Sequence, residues 1–210
     1  MDYTKTVRAF CLKNQNKLFD VSYMATNYFA VIPRKTLLKI LSRLTDEGLL
    51  LPVSKGVFYI QGDKLLDLDR AIEEYYVNGE HGMFVGYKMY NDLKISDHTD
   101  GTVEIYTNRI GAAHKNIGKY HLTYADIVFD NYARQLIQTL ELTEHFTKII
   151  DLDYIRLYNV RQSGIHNYLD YDIERVTGAI HYQRSTLVTF DRLMKEAGFS
   201  GSVLRNLKGA

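Results

Sequence analysis

The sequence predicts an α+β fold in which short strands lie among a larger number of helices. Apolar residues recur with the 3.6-residue period of an α-helix along much of the 210-residue chain. Short apolar or alternating runs bounded by Gly and Pro, such as residues 57–60 and 102–107, are typical of strands instead. The two patterns together indicate helices packed on a small amount of sheet.

We expect two parts, residues 1–62 and residues 63–210. Both prolines fall in the first part, and a new helical pattern opens after Gly62-Asp63. Because no repeat or flexible low-complexity linker separates the parts, they are expected to pack closely. The second part is expected to be a mixed α/β domain that ends in a helical region.

Two helices are predicted before residue 28. Residues 3–14 place Val7, Phe10 and Cys11 on one face, as an amphipathic helix does. After a short extended segment at Leu18-Phe19, Asp20 or Ser22 is suited to cap a second helix that runs to about Asn27.

A third helix is predicted over residues 34–47. Pro33 is expected at its first position, where a missing N–H costs nothing, and Gly48 ends it. Two strand-like runs follow, residues 49–51 and 57–60, joined by a compact turn that contains Lys55. Three helices followed by a hairpin with a basic tip predict a winged helix-turn-helix.

The third helix has two chemically different sides. At about 100° per residue, Leu37, Ile40, Leu41 and Leu44 fall on one side. Five polar residues fall within roughly a 100° arc on the opposite side: Lys35, Lys39, Ser42, Arg43 and Asp46. Such a helix packs through its apolar side while the polar side enters a major groove, where Arg, Lys and Ser contact bases and phosphates. The predicted DNA contacts are Arg34, Lys35, Lys39, Ser42 and Arg43 on the helix, with Lys55 at the hairpin tip reaching a phosphate or the minor groove.

The charge distribution supports a nucleic-acid partner for the first part. Residues 1–62 carry nine Lys or Arg against four Asp or Glu, a balance of +5, and the rest of the chain has a balance of −4, which gives the net charge of +1. A basic N-terminal part on a mildly acidic remainder is typical of a DNA-binding module joined to a second function.

The composition of the chain indicates the cellular compartment in which the protein works. One cysteine excludes an internal disulfide and is typical of the reducing cytoplasm. No apolar run approaches the roughly 18–20 residues that span a bilayer, and the N-terminus lacks the apolar core of a signal peptide. We therefore expect a cytoplasmic protein with no membrane partner.

The second part is predicted to hold a small sheet and several helices. Helix is expected over residues 63–76 and 87–93, and strand over 102–107, 119–122 and 127–129. The glycines at 79, 82 and 86 lack the spacing of a phosphate-binding loop and are interpreted as turn and close-packing positions. Helices are predicted over 132–146, 150–160, 168–181 and 184–197.

The sequence offers weak support for catalysis. None of the seven histidines has the i, i+4 spacing of a metal-binding helix, and no cysteine pair accompanies them. Asp151 and Asp153 lack the Gly-Ser turn expected before a nucleotidyltransferase metal pair. Asp100 and Glu104 precede Tyr106 where a nuclease pattern has Lys. We expect no enzyme activity, no cofactor and no bound metal.

Several short motifs occur in a distinctive order along the chain. They are Ser42-Arg43-Leu44 with Glu47-Gly48 in the third helix, Lys55-Gly56-Val57-Phe58-Tyr59 in the hairpin, and, further on, Phe84-Val85-Gly86-Tyr87, Asn91-Asp92-Leu93 and Val103-Glu104-Ile105-Tyr106-Thr107-Asn108. In this order the chain resembles the AbiEi-like antitoxin family of bacterial type IV toxin–antitoxin systems, over about residues 5–130. The C-terminal helices match the family only loosely.

This resemblance implies a transcriptional repressor of its own operon. Such a protein binds inverted repeats in promoter DNA and counters a nucleotidyltransferase-like toxin without forming a stable complex with it. The third-helix residues and Lys55 then become the DNA contacts by position. Two alternatives stay open on the residues alone: a winged-helix module that binds protein, and a metal-dependent nuclease or nucleotidyltransferase.

Overall fold

The structure, a computed structural model, describes residues 2–165, 168 and 170–199. It confirms the predicted α+β class. The elements of the first 62 residues are α1 (Tyr3–Lys13), β1 (Leu18–Asp20), α2 (Val21–Asn27), α3 (Arg34–Asp46), β2 (Leu50–Ser54) and β3 (Val57–Ile60).

The helix ends follow the capping residues in the sequence, with one difference. Asp2 and Asp20 each accept hydrogen bonds from backbone N–H groups in the first turns of α1 and α2. Pro33 occupies the N-cap of α3, one position earlier than expected, and its carbonyl accepts from Leu37 N at 3.0 Å. Proline suits this position because its missing N–H is not needed there. Gly48 follows the end of α3 with a φ of +76°, a conformation that favours glycine.

Three short strands form an antiparallel sheet in the order β1-β3-β2. β2 is longer than predicted and reaches Ser54, with an irregularity after Pro52. The turn is therefore tighter than the predicted Pro52–Gly56 segment. Gly56, at a φ of +72°, lies beside Lys55 in this turn and permits the reversal.

A second sheet organises the rest of the chain. Its strands are β4 (Gly82–Val85), β5 (Val103–Thr107), β6 (His114–Ile117) and β7 (Tyr120–Tyr124), in the order β4-β5-β7-β6. β5 and β7 are parallel and the other pairs antiparallel. The helices are α4 (Leu68–Ile72), α5 (Gly86–Asp92), α6 (Asn131–His145), α7 (Tyr154–Ile165), α8 (Asp170–Ala179) and α9 (Arg184–Glu196); a π-helical turn spans Glu73–Val77 and a 3₁₀ turn spans Phe146–Lys148.

The structure differs from several predictions for this region. The helix predicted over 150–160 spans Tyr154–Ile165. Residues 127–129, predicted as a strand, form a loop whose Ile127 and Phe129 are buried, so their apolar character reflects burial and not pairing. The helix predicted from residue 63 begins only at Leu68 and continues as the π-helical turn. β4 and β6 were not predicted. In β6 only Ile117 is fully buried, which leaves no alternation to detect.

The glycine-rich stretch before α5 has the packing role expected of it. A Cβ on Gly82 would collide with the carbonyl oxygens of Tyr76 and Tyr106. Only glycine lets β4 lie this close to the π-helical turn and to β5.

Two buried clusters share the second sheet. The first joins α1–α3 and the first sheet to residues beyond 62, including Tyr76, Ile105 and Leu122. The second joins Met83 and Val85 of β4 to α5 and to α6–α9. The second sheet therefore lies between the N-terminal elements and the C-terminal helices.

The second cluster encloses a carboxyl group. Glu141 on α6 is only 4% exposed, accepts from the Tyr106 hydroxyl at 3.0 Å, and lies 3.6 Å from His145 Nε2. Burial raises the pKa of Glu141 from 4.5 to about 7, against the lowering effect of the hydrogen bond from Tyr106. The folded protein thus holds a proton that the unfolded chain releases at lower pH.

This difference predicts a pH-dependent stability. The contribution of Glu141 is most favourable below about pH 4.5 and is lost as the pH rises to about 7. Glu141→Gln keeps an acceptor for Tyr106 and cannot ionise. We expect the variant to gain about 3 kcal/mol of unfolding free energy over the native protein across this range, at about 1.4 kcal/mol per pKa unit. Urea titrations at several pH values measure the difference, and the exposed Asp97→Asn is the control. A difference that is constant with pH would contradict the assignment.

Candidate nucleic-acid interface

Helix α3 has one buried side and one exposed side. Leu37, Ile40, Leu41 and Leu44 are buried and pack within the first cluster. All six residues that the sequence predicts as DNA contacts are exposed: Arg34, Lys35, Lys39, Ser42, Arg43 and Lys55. We call the five of them on α3 the basic face.

The basic face is long enough to follow a groove. At 1.5 Å per residue, Lys35 and Arg43 are separated by about 12 Å along the helix axis, with Lys39 one turn from each. The B-DNA major groove is about 12 Å wide and admits an α-helix. The three cations recur about once per turn along one side of a helix that the groove can admit.

The charges of the basic face are not neutralised by the protein. Across residues 2–165, 168 and 170–199, none of its cations has an acidic side chain within 4.0 Å. The nearby acid Glu47 instead forms an ion pair with Arg8 of α1. Asp46, at the end of α3, is exposed and is the one carboxylate within the helix itself. The cations of this face are thus available to an external anion.

Sequence reasoning missed an apolar component of this surface. Leu38 is 45% exposed and lies, by its helical angle, between Arg34 and Ser42. Val31, in the connection before α3, is 70% exposed. The angular position of Leu38 was the available signal, since it falls outside the apolar side. An exposed leucine beside basic groups is suited to contact a thymine methyl group.

A buried carboxylate fixes α2, and through it α3, to the second sheet. Asp20 is 0% exposed and caps α2 through the backbone N–H of Ser22 at 3.0 Å. The same carboxylate accepts from the Tyr76 hydroxyl at 2.9 Å and forms an ion pair with Lys115 of β6. Close packing of Gly111 against Ser22 adds to this contact, since a Cβ at Gly111 would lie 2.7 Å from Ser22 Cβ.

The hairpin is also attached to the second sheet. Ser54, at the end of β2, donates from its hydroxyl to the Asn116 carbonyl of β6 at 3.4 Å. Lys55, the next residue, remains exposed. The tip that carries Lys55 is thereby held at one side while its ammonium group stays free to contact solvent or a ligand.

Two of the four acidic residues considered for catalysis have local structural partners. Asp153 accepts from Arg156 N at 2.9 Å in the first turn of α7, and Asp100 accepts from Thr102 N at 3.0 Å. Asp151 is exposed at a φ of +53°, and Glu104 is exposed beside Gly86. Within the described ranges, no three His, Cys, Asp or Glu side chains gather where a metal ion would bind.

Comparison with known proteins gives no further assignment. No protein-family model and no curated protein matches the chain. Separately, the part of the chain that the structure describes contains no helix with the length and apolarity to traverse a bilayer.

The Asp20 contacts predict a large loss of stability on truncation. Asp20→Ala leaves Lys115, whose side chain is 14% exposed, without its partner, so we expect the unfolding free energy to fall by roughly 3–5 kcal/mol. Tyr76→Phe removes one hydrogen bond to the same carboxylate and leaves the ion pair in place, so it should cost less, roughly 1.5–3 kcal/mol. Urea denaturation measures both. Equal losses in the two variants would show that the ion pair contributes nothing beyond the hydrogen bond.

Proposed function

We propose that residues 1–62 form a winged helix-turn-helix that binds double-stranded DNA, with α3 as the recognition helix. The exposed and internally unpaired basic face is the observation that carries this proposal. Three helices and a three-stranded antiparallel sheet, in the order α1-β1-α2-α3-β2-β3, are the elements such a module uses. In this arrangement α2 crosses the DNA backbone while α3 enters the major groove.

The contacts divide into two classes. Lys39, Ser42 and Arg43 lie along the middle and end of α3 and are assigned to base edges, with Leu38 against a thymine methyl. Arg34, Lys35 and Lys55 are assigned to phosphates on either side of the groove, where positive charge fixes register without reading sequence. The β2–β3 hairpin serves as the wing that carries Lys55.

We further propose that the protein is an autoregulatory antitoxin of a type IV system, acting in the cytoplasm without catalysis. The support is the resemblance to AbiEi-like proteins, whose motifs coincide with structural elements here. Phe84-Val85-Gly86-Tyr87 forms the junction of β4 and α5, and residues 103–107 form β5. On this proposal the DNA is a promoter inverted repeat, and the protein counters a nucleotidyltransferase-like toxin.

A protein-binding winged helix is the second candidate. The exposed apolar side chains Val31 and Leu38, with Tyr28 at 55% exposure, favour it because such groups beside a helix are common in protein interfaces. It competes for the same surface, so a DNA-binding measurement separates the two.

Removing two cations from the basic face should weaken DNA binding. We expect Lys39→Ala and Arg43→Ala each to cost about 1–3 kcal/mol on the cognate site if the residue reads a base. A residue that contacts only phosphate should weaken all sequences alike and lower the salt slope by about 1. Mobility-shift titrations with the promoter of the protein's own gene and with unrelated DNA, at several salt concentrations, distinguish these outcomes.

The matched control removes two arginines from another helix. Arg184 and Arg192 are exposed on α9, so Arg184→Ala with Arg192→Ala changes net charge equally without touching the basic face. Unchanged promoter binding by the Lys39→Ala/Arg43→Ala variant, or an equal loss in the control, would exclude α3 as the recognition helix.

The antitoxin proposal predicts that a variant can lose DNA binding and still neutralise the toxin. Expressed from an independent promoter, the Lys39→Ala/Arg43→Ala variant should still restore growth to cells that produce a nucleotidyltransferase encoded beside this gene. Colony counts with and without toxin induction measure the rescue. Failure of the native protein to rescue would refute the antitoxin proposal and leave DNA binding intact.

A further inference from the structure

A cleft of about 770 Å³ opens between α2 and the second sheet, away from the residues of the basic face. One wall is the side of α2 that carries Ser22, Tyr23, Thr26 and Asn27. The other wall is formed by Glu80-His81, Asn108, residues 110–113, Tyr124, Asp126 and Val128. Its volume lies within the range of about 300–1,000 Å³ that small-molecule sites occupy.

Hydrogen-bond donors on the cleft wall are already used within the protein. Thr26 donates from its hydroxyl to the Ser22 carbonyl at 3.3 Å, and Asn27 donates from Nδ2 to the Tyr23 carbonyl at 2.9 Å. Asn108 donates from Nδ2 to two carbonyls, those of Glu80 at 3.0 Å and Ile127 at 2.9 Å. Thr26 and Asn108 therefore offer a ligand no side-chain donor, whereas Asn27 keeps one N–H, and Asn108 also has a hydrogen bond with His81.

The formal charges on the wall are negative. Two carboxylates, Glu80 and Asp126, line the cleft and are exposed to it, and the described lining residues include no Lys or Arg. Burial, and secondarily Arg109, lower the pKa of His81, so its imidazole is uncharged at neutral pH. The cleft wall thus carries negative formal charge together with hydrogen-bond acceptors.

An aromatic ring in the cleft already contacts one cation. The Arg109 guanidinium lies 5.7 Å from the centre of the Tyr23 ring and donates to the Tyr75 carbonyl at 3.0 Å. Arg109 does not line the cleft, whereas Tyr23 and Tyr124 do. Tyrosine faces attract ammonium and guanidinium groups, so the Tyr124 ring adds to the preference set by the carboxylates, whereas Arg109 already contacts the Tyr23 ring.

We propose that this cleft binds a small organic cation that carries several N–H donors, of the polyamine or alkylguanidine class. The ammonium groups pair with Glu80 and Asp126, and the remaining N–H groups donate to the oxygens of Thr26, Asn27 and Asn108. An anion such as a nucleotide finds no Lys or Arg among the described lining residues. The cleft shares no lining residue with the basic face.

Isothermal titration of the protein alone, without DNA, with spermidine tests the site. We expect saturable binding with one spermidine per chain. Tetramethylammonium, a cation without N–H donors, and ATP, an anion, should both bind at least tenfold more weakly. Ala112→Arg, which places a guanidinium on the exposed cleft wall, should abolish spermidine binding by occupying the site.

Two double variants that remove the same charge test whether spermidine binding depends on the cleft. Glu80→Gln with Asp126→Asn alters only exposed groups and should weaken spermidine binding roughly tenfold or more, since it removes both formal charges that pair with the ligand. Glu73→Gln with Asp97→Asn removes the same charge from exposed positions that do not line the cleft and should leave the affinity within twofold. Thermal unfolding of each variant without ligand verifies folding.

Three results would overturn the proposal. One is the absence of saturable spermidine binding to the native protein. Another is an equal loss in the two double variants, which would mean general attraction to acidic surface. The third is much tighter binding of a trilysine peptide than of spermidine, with the same dependence on Glu80 and Asp126, which would assign the cleft to a basic protein segment.

Discussion

The arrangement of the molecule depends on the carboxylate of Asp20, which is fully buried and has partners from three parts of the chain. It caps α2, accepts from Tyr76 before the second sheet, and pairs with Lys115 on the edge strand of that sheet. A buried charge of this kind is stable only when its partners are all in place, so α2 cannot shift without disrupting several contacts together. The orientation of α2 relative to the second sheet is thereby fixed.

Once α2 is fixed, the exposure of α3 follows from packing. The apolar side of α3 is buried in the first cluster. The second sheet is covered on its other side by α6–α9. Within the part of the chain that the structure describes, Lys35, Lys39 and Arg43 form no ion pair, and the neighbouring Glu47 is engaged by Arg8. Several like charges on one helix repel each other, and this repulsion lowers the stability of the folded protein unless a bound anion offsets it. An external polyanion is the simplest source of compensation.

The sequence predicted the elements that carry strong local signals. Asp20 as a cap, Gly48 as a helix end and the leucines of α3 each act through neighbouring residues, so periodicity and capping rules identified them. Contacts between residues far apart in the chain could not be predicted from local sequence patterns. β6 is recognisable only through its partner β7, and the Asp20–Lys115 ion pair joins residues far apart in sequence. Leu38 could have been assigned from its helical angle, whereas the cleft depends on two segments that meet only in the fold.

The proposed cleft and the basic face are connected by one short element. Ser22, Tyr23, Thr26 and Asn27 of α2 line the cleft, and the chain passes from Asn27 through a tight turn directly into α3. A cation in the cleft would bridge α2 to the second sheet and add to the restraint that Asp20 supplies. Any difference in cation affinity between free and DNA-bound protein must be matched by an equal effect of the cation on DNA affinity. Asp20 already fixes the position of α2. An effect of the cation on DNA affinity would therefore require movement in the turn between α2 and α3.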